Sequence, residues 1–89
     1  MTKRSYGLFA FDSPHAAIAA QRLLVEVDAA VMPTLRAISA SCGMSLRVAN
    51  EQIERARRIM AASDIDPVLY RLYAVEQDDD GTRCSLLEK

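Results

Sequence analysis

Tyr6-Gly7-Leu8-Phe9-Ala10-Phe11-Asp12-Ser13-Pro14 decides the fold, because an apolar, strand-like run passes directly into a helix start. The run closes at Asp12. Ser13 is a good N-cap, since its hydroxyl can accept an orphan backbone N–H, and Pro14 suits the first helical position, where its missing donor costs nothing. The spacing predicts a helix from Pro14 to about Val27. Ala17, Ala20, Leu24 and Val27 recur at helical period, with Ile18 and Val25 widening the stripe, while Gln21, Arg22 and Glu26 face water.

Outward from there, Ala29-Ala30-Val31-Met32 reads as a second strand stopped by Pro33. Met44-Ser45-Leu46-Arg47-Val48 alternates as a half-buried third strand should, with Met44, Leu46 and Val48 toward the helices. Asn50 with Glu51 opens a second helix, the first as cap and the second as a carboxylate at the positive end of the dipole. Its expected buried stripe is Ala49, Ile53, Ala56 and Met60; Glu51, Glu54, Arg55, Arg57 and Arg58 form a solvated face. Ser63-Asp64-Ile65-Asp66-Pro67 is a turn, and Val68 to Val75 is the longest strand, with Val68, Tyr70 and Leu72 on one face and Leu69, Arg71 and Tyr73 on the other. From Glu76 the sequence turns polar, so 77–89 is expected as a disordered tail behind a single domain, 1–76.

The order β-α-β-β-α-β implies an α+β, ferredoxin-like domain: a four-stranded antiparallel sheet, first and third strands adjacent, with two helices on one face. The first strand–helix turn and the loop between the second and third strands then share one edge. The face without helices would carry Phe9, Phe11, Leu69 and Tyr73, an apolar patch suited to a homodimer or a partner domain.

Composition narrows the function. Eighty-nine residues suffice for one modest core. A net charge of −1, with no Trp, gives neither the electrostatic footprint nor the stacking platform of a nucleic-acid binder. The apolar run after Met1-Thr2-Lys3-Arg4 ends too soon for a signal peptide or a membrane span, so no membrane association is expected and the expected compartment is the cytoplasm. Cys42 and Cys84 are expected as free thiols in a reducing compartment.

Chemistry, if any, belongs to Pro33-Thr34-Leu35-Arg36-Ala37-Ile38-Ser39-Ala40-Ser41-Cys42-Gly43. A loop of this length between short strands is long for a hairpin and too apolar for disorder, given Leu35, Ile38 and Met44. It ends by presenting a thiol. Cysteine attacks as thiolate, and bringing an ordinary thiol from about 8.5 to about 7 needs roughly 2 kcal/mol of differential stabilisation. A helix N-terminus supplies about 0.3–1 kcal/mol, so His15, Arg36 or Arg47 must contribute, and Gly43 would let backbone N–H groups approach the sulfur. Against this stands the bland reading of Cys42 as a small buried hydrophobe, with both arginines and His15 merely solvated.

Tyr6-Gly7-Leu8-Phe9, Ser13-Pro14-His15-Ala16-Ala17 and the Pro33 to Arg47 stretch together resemble the selenium/sulfur carrier-like family of small bacterial domains, a family of unknown function that also occurs beside selenium-metabolism and sulfurtransferase proteins. The likeness covers about Tyr6 to Tyr73. By residue type its pattern falls on His15, Pro33, Thr34, Arg36, Ser41, Cys42, Gly43, Leu46 and Arg47; Leu35 stands where a second proline is common. The resemblance implies a carrier that holds sulfur or selenium on Cys42 as a persulfide or selenosulfide, with His15, Arg36, Ser41, Gly43 and Arg47 around the cargo. A donor enzyme and an acceptor protein are the implied partners, and no cofactor. The other reading is a non-catalytic regulatory or dimerisation module. An autonomous enzyme is disfavoured by the single His and the lack of a Ser/His/Asp set or phosphate-binding glycine loop, and a metal site by the unrelated spacing of Cys42, Cys84 and His15.

Overall fold

A computed structural model describes residues 3–35, 38 and 43–88. β1 (Arg4–Phe11) leads into α1 (Pro14–Leu23), followed by β2 (Ala30–Pro33), β3 (Met44–Ala49), α2 (Ile53–Ala61), β4 (Tyr70–Asp78) and β5 (Gly81–Glu88). All pairings are antiparallel, in the order β2-β3-β1-β4-β5. The α+β class and the adjacency of β1 and β3 are as expected; the sheet has five strands rather than four.

The fifth strand is the stretch expected as a tail. β4 runs on to Asp78, the chain turns at Asp79–Asp80, and β5 returns along β4 with Val75 opposite Cys84 and Glu76 opposite Arg83. Polarity misled the expectation, because among residues 81–87 of β5 only Cys84 is half-buried and the rest are exposed. Ladder hydrogen bonds, the positive φ of Gly81 and an Arg83–Asp78 contact of 2.9 Å hold the hairpin instead of a core.

Ser13 caps α1 by accepting the Ala16 N–H at 3.4 Å, with Pro14 at the first helical position. Ala17, Ala20, Leu24 and Val27 are buried as the stripe predicted, but Ile18 and Val25 are exposed, and Leu24–Val27 tightens into a 3-10 turn that ends on Asp28 in the left-handed region. Asn50 does not cap α2; its amide donates to the Ser5 hydroxyl at 2.8 Å, and a 3-10 turn over Asn50–Gln52 precedes the helix. Ala49 belongs to β3 and is exposed, which leaves Ile53, Ala56 and Met60 as the inward residues of α2. Val68 and Leu69 lie in a 3-10 turn, Pro67–Leu69, where the Asp66 carboxylate accepts the Val68 N–H at 3.1 Å. None of the helices among the described residues is long and apolar enough to cross a membrane.

Both sheet faces are covered. Against the helices pack Phe9, Phe11, Leu46, Val48, Tyr70 and Leu72. On the other face, Tyr6, Leu8, Ala10 and Val75 form a second cluster with Ile38, a residue of the β2–β3 loop. This corrects the patch expected from sequence: Phe9 and Phe11 point into the helix-side core and Leu69 packs beside them, so of those four residues only Tyr73 belongs to the outer face. A strand's side chains alternate, and one step of parity moves the whole set across the sheet. Gly7 has a steric reason to be glycine, since a Cβ there would lie 2.7 Å from Ile53 Cγ1.

Candidate functional site

The β2–β3 loop is closed at its neck. Pro33 pairs with Met44, and one step further the Thr34 N–H donates to the Gly43 carbonyl at 3.0 Å. The Thr34 hydroxyl lies 2.7 Å from the hydroxyl of Ser45, which is fully buried, so this one hydrogen bond satisfies a polar group that would otherwise be costly to enclose. Beyond the neck, the Ile38 N–H donates to the Leu35 carbonyl at 3.0 Å, and the Ile38 side chain, 6% exposed, is set onto Tyr6, Leu8, Ala10 and Val75. The loop is thus fixed at two points, its neck and Ile38. Cys42 follows Ile38 and directly precedes Gly43 in the chain. Cys42, Arg36 and Ser41 themselves lie outside the described residues.

Gly43 is exposed, and a Cβ placed on it would meet nothing within 4 Å. Among the described residues, neither close packing nor a positive φ demands glycine here. Its smallness leaves the space beside the thiol's chain neighbour open.

The shared edge expected from topology is present. Ala10 pairs with Ser45, so continuing the register sets Met44 level with Phe11 and Gly43 level with Asp12, where β1 passes into α1. His15 is exposed in the first turn of that helix, behind Pro14. Arg47 is elsewhere: it pairs with Leu8 in mid-sheet, and its guanidinium carbon sits 5.9 Å above the Tyr6 ring on the face away from the helices. His15 and Arg47 are therefore not brought together. β3 carries Arg47 down the sheet, away from the edge where Gly43 lies.

Sequence reasoning missed what occupies the outer face. Cys84, read as a tail residue, is half-buried against the Tyr6, Leu8 and Ile38 cluster and is a free thiol. Burial pushes its pKa up. Burial, then the neighbouring Cys84, also raises the Tyr6 hydroxyl, against the downward pull of Arg4 and Arg47. The Arg4, Tyr6, Leu8 alternation in β1 was a signal for this face; the apolar Leu35, Ile38 and Met44 signalled that the loop packs on a core, but not that Ile38 goes to this side of the sheet. No group of three or more His, Cys, Asp or Glu side chains gathers into a metal-binding arrangement among the described residues.

The fold and the loop define a small α+β domain in which the β2–β3 connection is closed at its neck by the Thr34–Gly43 hydrogen bond and sets Ile38 on the sheet face that the helices leave free. The chain belongs to the family described as "Putative Se/S carrier protein-like", whose model matches residues 6–69 and so takes in β1 from Tyr6 on, α1, the whole loop, β3 and α2. Neither a curated protein nor a solved structure gives a significant match.

Proposed function

We propose that the protein is a sulfur or selenium carrier rather than an autonomous enzyme, and that Cys42 is the residue that holds the cargo. The observation that carries this reading is the family match over 6–69, since it spans the entire Pro33 to Arg47 segment. The geometry supports it in two respects. The chain is held on either side of the Ser39–Cys42 stretch, by Ile38 and by the Thr34–Gly43 neck, and the residue after the thiol is exposed, with none of the described residues crowding its Cα.

Loading is a thiol exchange. The Cys42 thiolate attacks the outer sulfur of a donor enzyme's persulfide, the S–S bond in the donor breaks, and the donor leaves as thiolate while Cys42 becomes the persulfide. An acceptor thiol repeats the step in the opposite sense. A persulfide or selenosulfide is anionic near neutral pH, so it gains from nearby positive charge; the N-terminus of α1 with His15 shares the edge with Gly43, and Arg36 and Ser41 lie in the loop itself. Donor enzyme and acceptor protein are the partners this role requires. Dimerisation as the sole function lacks the apolar face first assigned to it, because Phe9 and Phe11 are buried under the helices.

The test uses a Cys84→Ser variant. Incubation with a cysteine desulfurase and cysteine, or a selenocysteine lyase and selenocysteine, without added reductant, is expected to add one sulfur or selenium atom by intact mass. Cys42→Ala is expected to abolish the adduct. Absence of any adduct from either donor removes the carrier assignment.

A further inference from the structure

We propose that the groove between Arg4 and Arg47 on the outer sheet face is a binding site for a terminal carboxylate, carried by a free amino acid or by the last residue of a peptide. Arg4, Ser5, Tyr6, Asp28, Arg47 and Ala49 line a concavity of about 420 Å³, within the range of small-molecule sites. It is built by β1, β3 and the turn before β2. Arg4 and Tyr6 stand on one face of β1, Ala49 of β3 lies opposite Tyr6, and Arg47 reaches over the Tyr6 ring from two residues earlier in β3. Ala30 pairs with Arg47, so the chain just before β2 brings Asp28 beside Ala49.

The charges in this groove are unbalanced. Arg4 and Arg47 make no ion pair among the described residues, yet both border the same hollow and both act on the Tyr6 hydroxyl. Asp28 sets one carboxylate against two guanidiniums, so the lining carries one positive charge in excess, which a singly charged anion offsets. Each guanidinium offers a planar fork of donors that matches a carboxylate in two-point contact. The Tyr6 ring and the Ala49 methyl give an apolar wall for the carbon skeleton behind the carboxylate. Asp28 sets the charge limit: one carboxylate on the rim opposes a multiply charged anion such as phosphate, and leaves room for a singly charged ligand with an ammonium on its Asp28 side. The site uses no atom of Cys42, so it stands apart from the carrier reading.

The experiment is a titration of the isotope-labelled full chain followed by backbone amide resonances at constant ionic strength. The probes are L-alanine, N-acetyl-L-alanine, tri-alanine, tri-alanine amide and inorganic phosphate. Tri-alanine and N-acetyl-L-alanine are expected to shift the amides of Ser5, Tyr6, Arg47 and Ala49, while tri-alanine amide leaves them in place. L-alanine binding more tightly than tri-alanine assigns the site to free amino acids, and the reverse assigns it to peptide ends. Arg4→Gln, at an exposed strand start, is expected to weaken binding at least about tenfold, as the loss of a charge-assisted contact should. Arg47→Gln gives a similar loss, with its amide spectrum otherwise that of the folded chain. Cys42→Ser keeps full affinity, which separates this site from the transfer chemistry. Equal binding of the amide, tighter binding of phosphate, or an unchanged affinity in Arg4→Gln overturns the proposal.

Discussion

Ile38→Ala is the substitution that asks most of this structure, because among the described residues of the β2–β3 loop Ile38 is the one buried against the sheet. Ile38 is 6% exposed and touches the outer-face cluster of Tyr6, Leu8, Ala10 and Val75. The change deletes three carbons, worth about 0.8 kcal/mol each in transfer from water, or about 2.4 kcal/mol before any cavity forms. Leu35 and Met32 border the same cluster and can settle into part of the space, so the cavity contribution is small and the total is expected at about 2–3 kcal/mol. In a domain of this size that lowers the melting temperature by about 8–24 °C. Thermal and urea unfolding followed by far-ultraviolet circular dichroism measure it. A second readout tests the link to chemistry: the Cys42 alkylation rate in a Cys84→Ser background should change, since the loop has lost one of its two fixed points. A stability change below about 0.5 kcal/mol, the range of ordinary surface substitutions, would mean that Ile38 is not a packing anchor and that the outer face is open in solution.

Three further outcomes follow from other contacts. Gly7→Ala drives a methyl to 2.7 Å from Ile53 Cγ1 and 3.0 Å from Val48 Cγ2, and is expected to cost about 1–3 kcal/mol in urea unfolding, with partial relief when Ile53 is shortened to Val. Thr34→Val leaves the buried Ser45 hydroxyl without its 2.7 Å partner and is expected to cost about 1–3 kcal/mol, whereas adding Ser45→Ala should recover much of it; additive losses in the double variant would contradict the pairing. The hydrogen bond from Arg83 holds the Asp78 carboxyl below its ordinary pKa, with a second bond from the Asp80 N–H acting the same way. A carboxyl whose folded pKa is depressed contributes stability that is complete above its unfolded pKa and is lost as pH falls through the folded one. The protection factors of amides at the β4–β5 turn, with the intrinsic pH dependence of exchange divided out, should therefore fall on acidification below the ordinary carboxylate range, and Asp78→Asn should flatten that dependence.

How far the sequence could be read depended on whether the cause was local. Ser13-Pro14 announces α1 because a cap and a fixed φ are properties of adjacent residues, and the buried Ala17, Ala20, Leu24 and Val27 follow from one period. The order β2-β3-β1-β4 follows from the element pattern and short connections. Failures came where the cause was distant. Phe9 and Phe11 were assigned to the wrong face because the run Tyr6–Phe11 can bury both of its faces, so its composition does not say which set of side chains meets the helices. β5 was invisible because its stability comes from a ladder with β4 and not from its own composition. The site divides in the same way. A loop with a thiol next to a glycine stands out in the sequence, but Ile38 crossing to the outer face is a tertiary contact. The separation of His15 from Arg47 depends on which way β3 carries the chain.

The position of β1 also governs how the chain can assemble. Its two neighbours are β3 and β4, and Tyr6 at one end of the sequence faces Val75 near the other. During synthesis β1 and β3 can meet once the loop is made, but β1 keeps one bare edge until β4 has emerged. A bare central edge is the template on which chains join wrongly. The β4–β5 hairpin, by contrast, needs only its own turn at Asp79–Asp80 and can form as soon as it is released. β4 can therefore reach β1 with its far edge already occupied, so that a single docking event completes the sheet and hides its most adhesive strand.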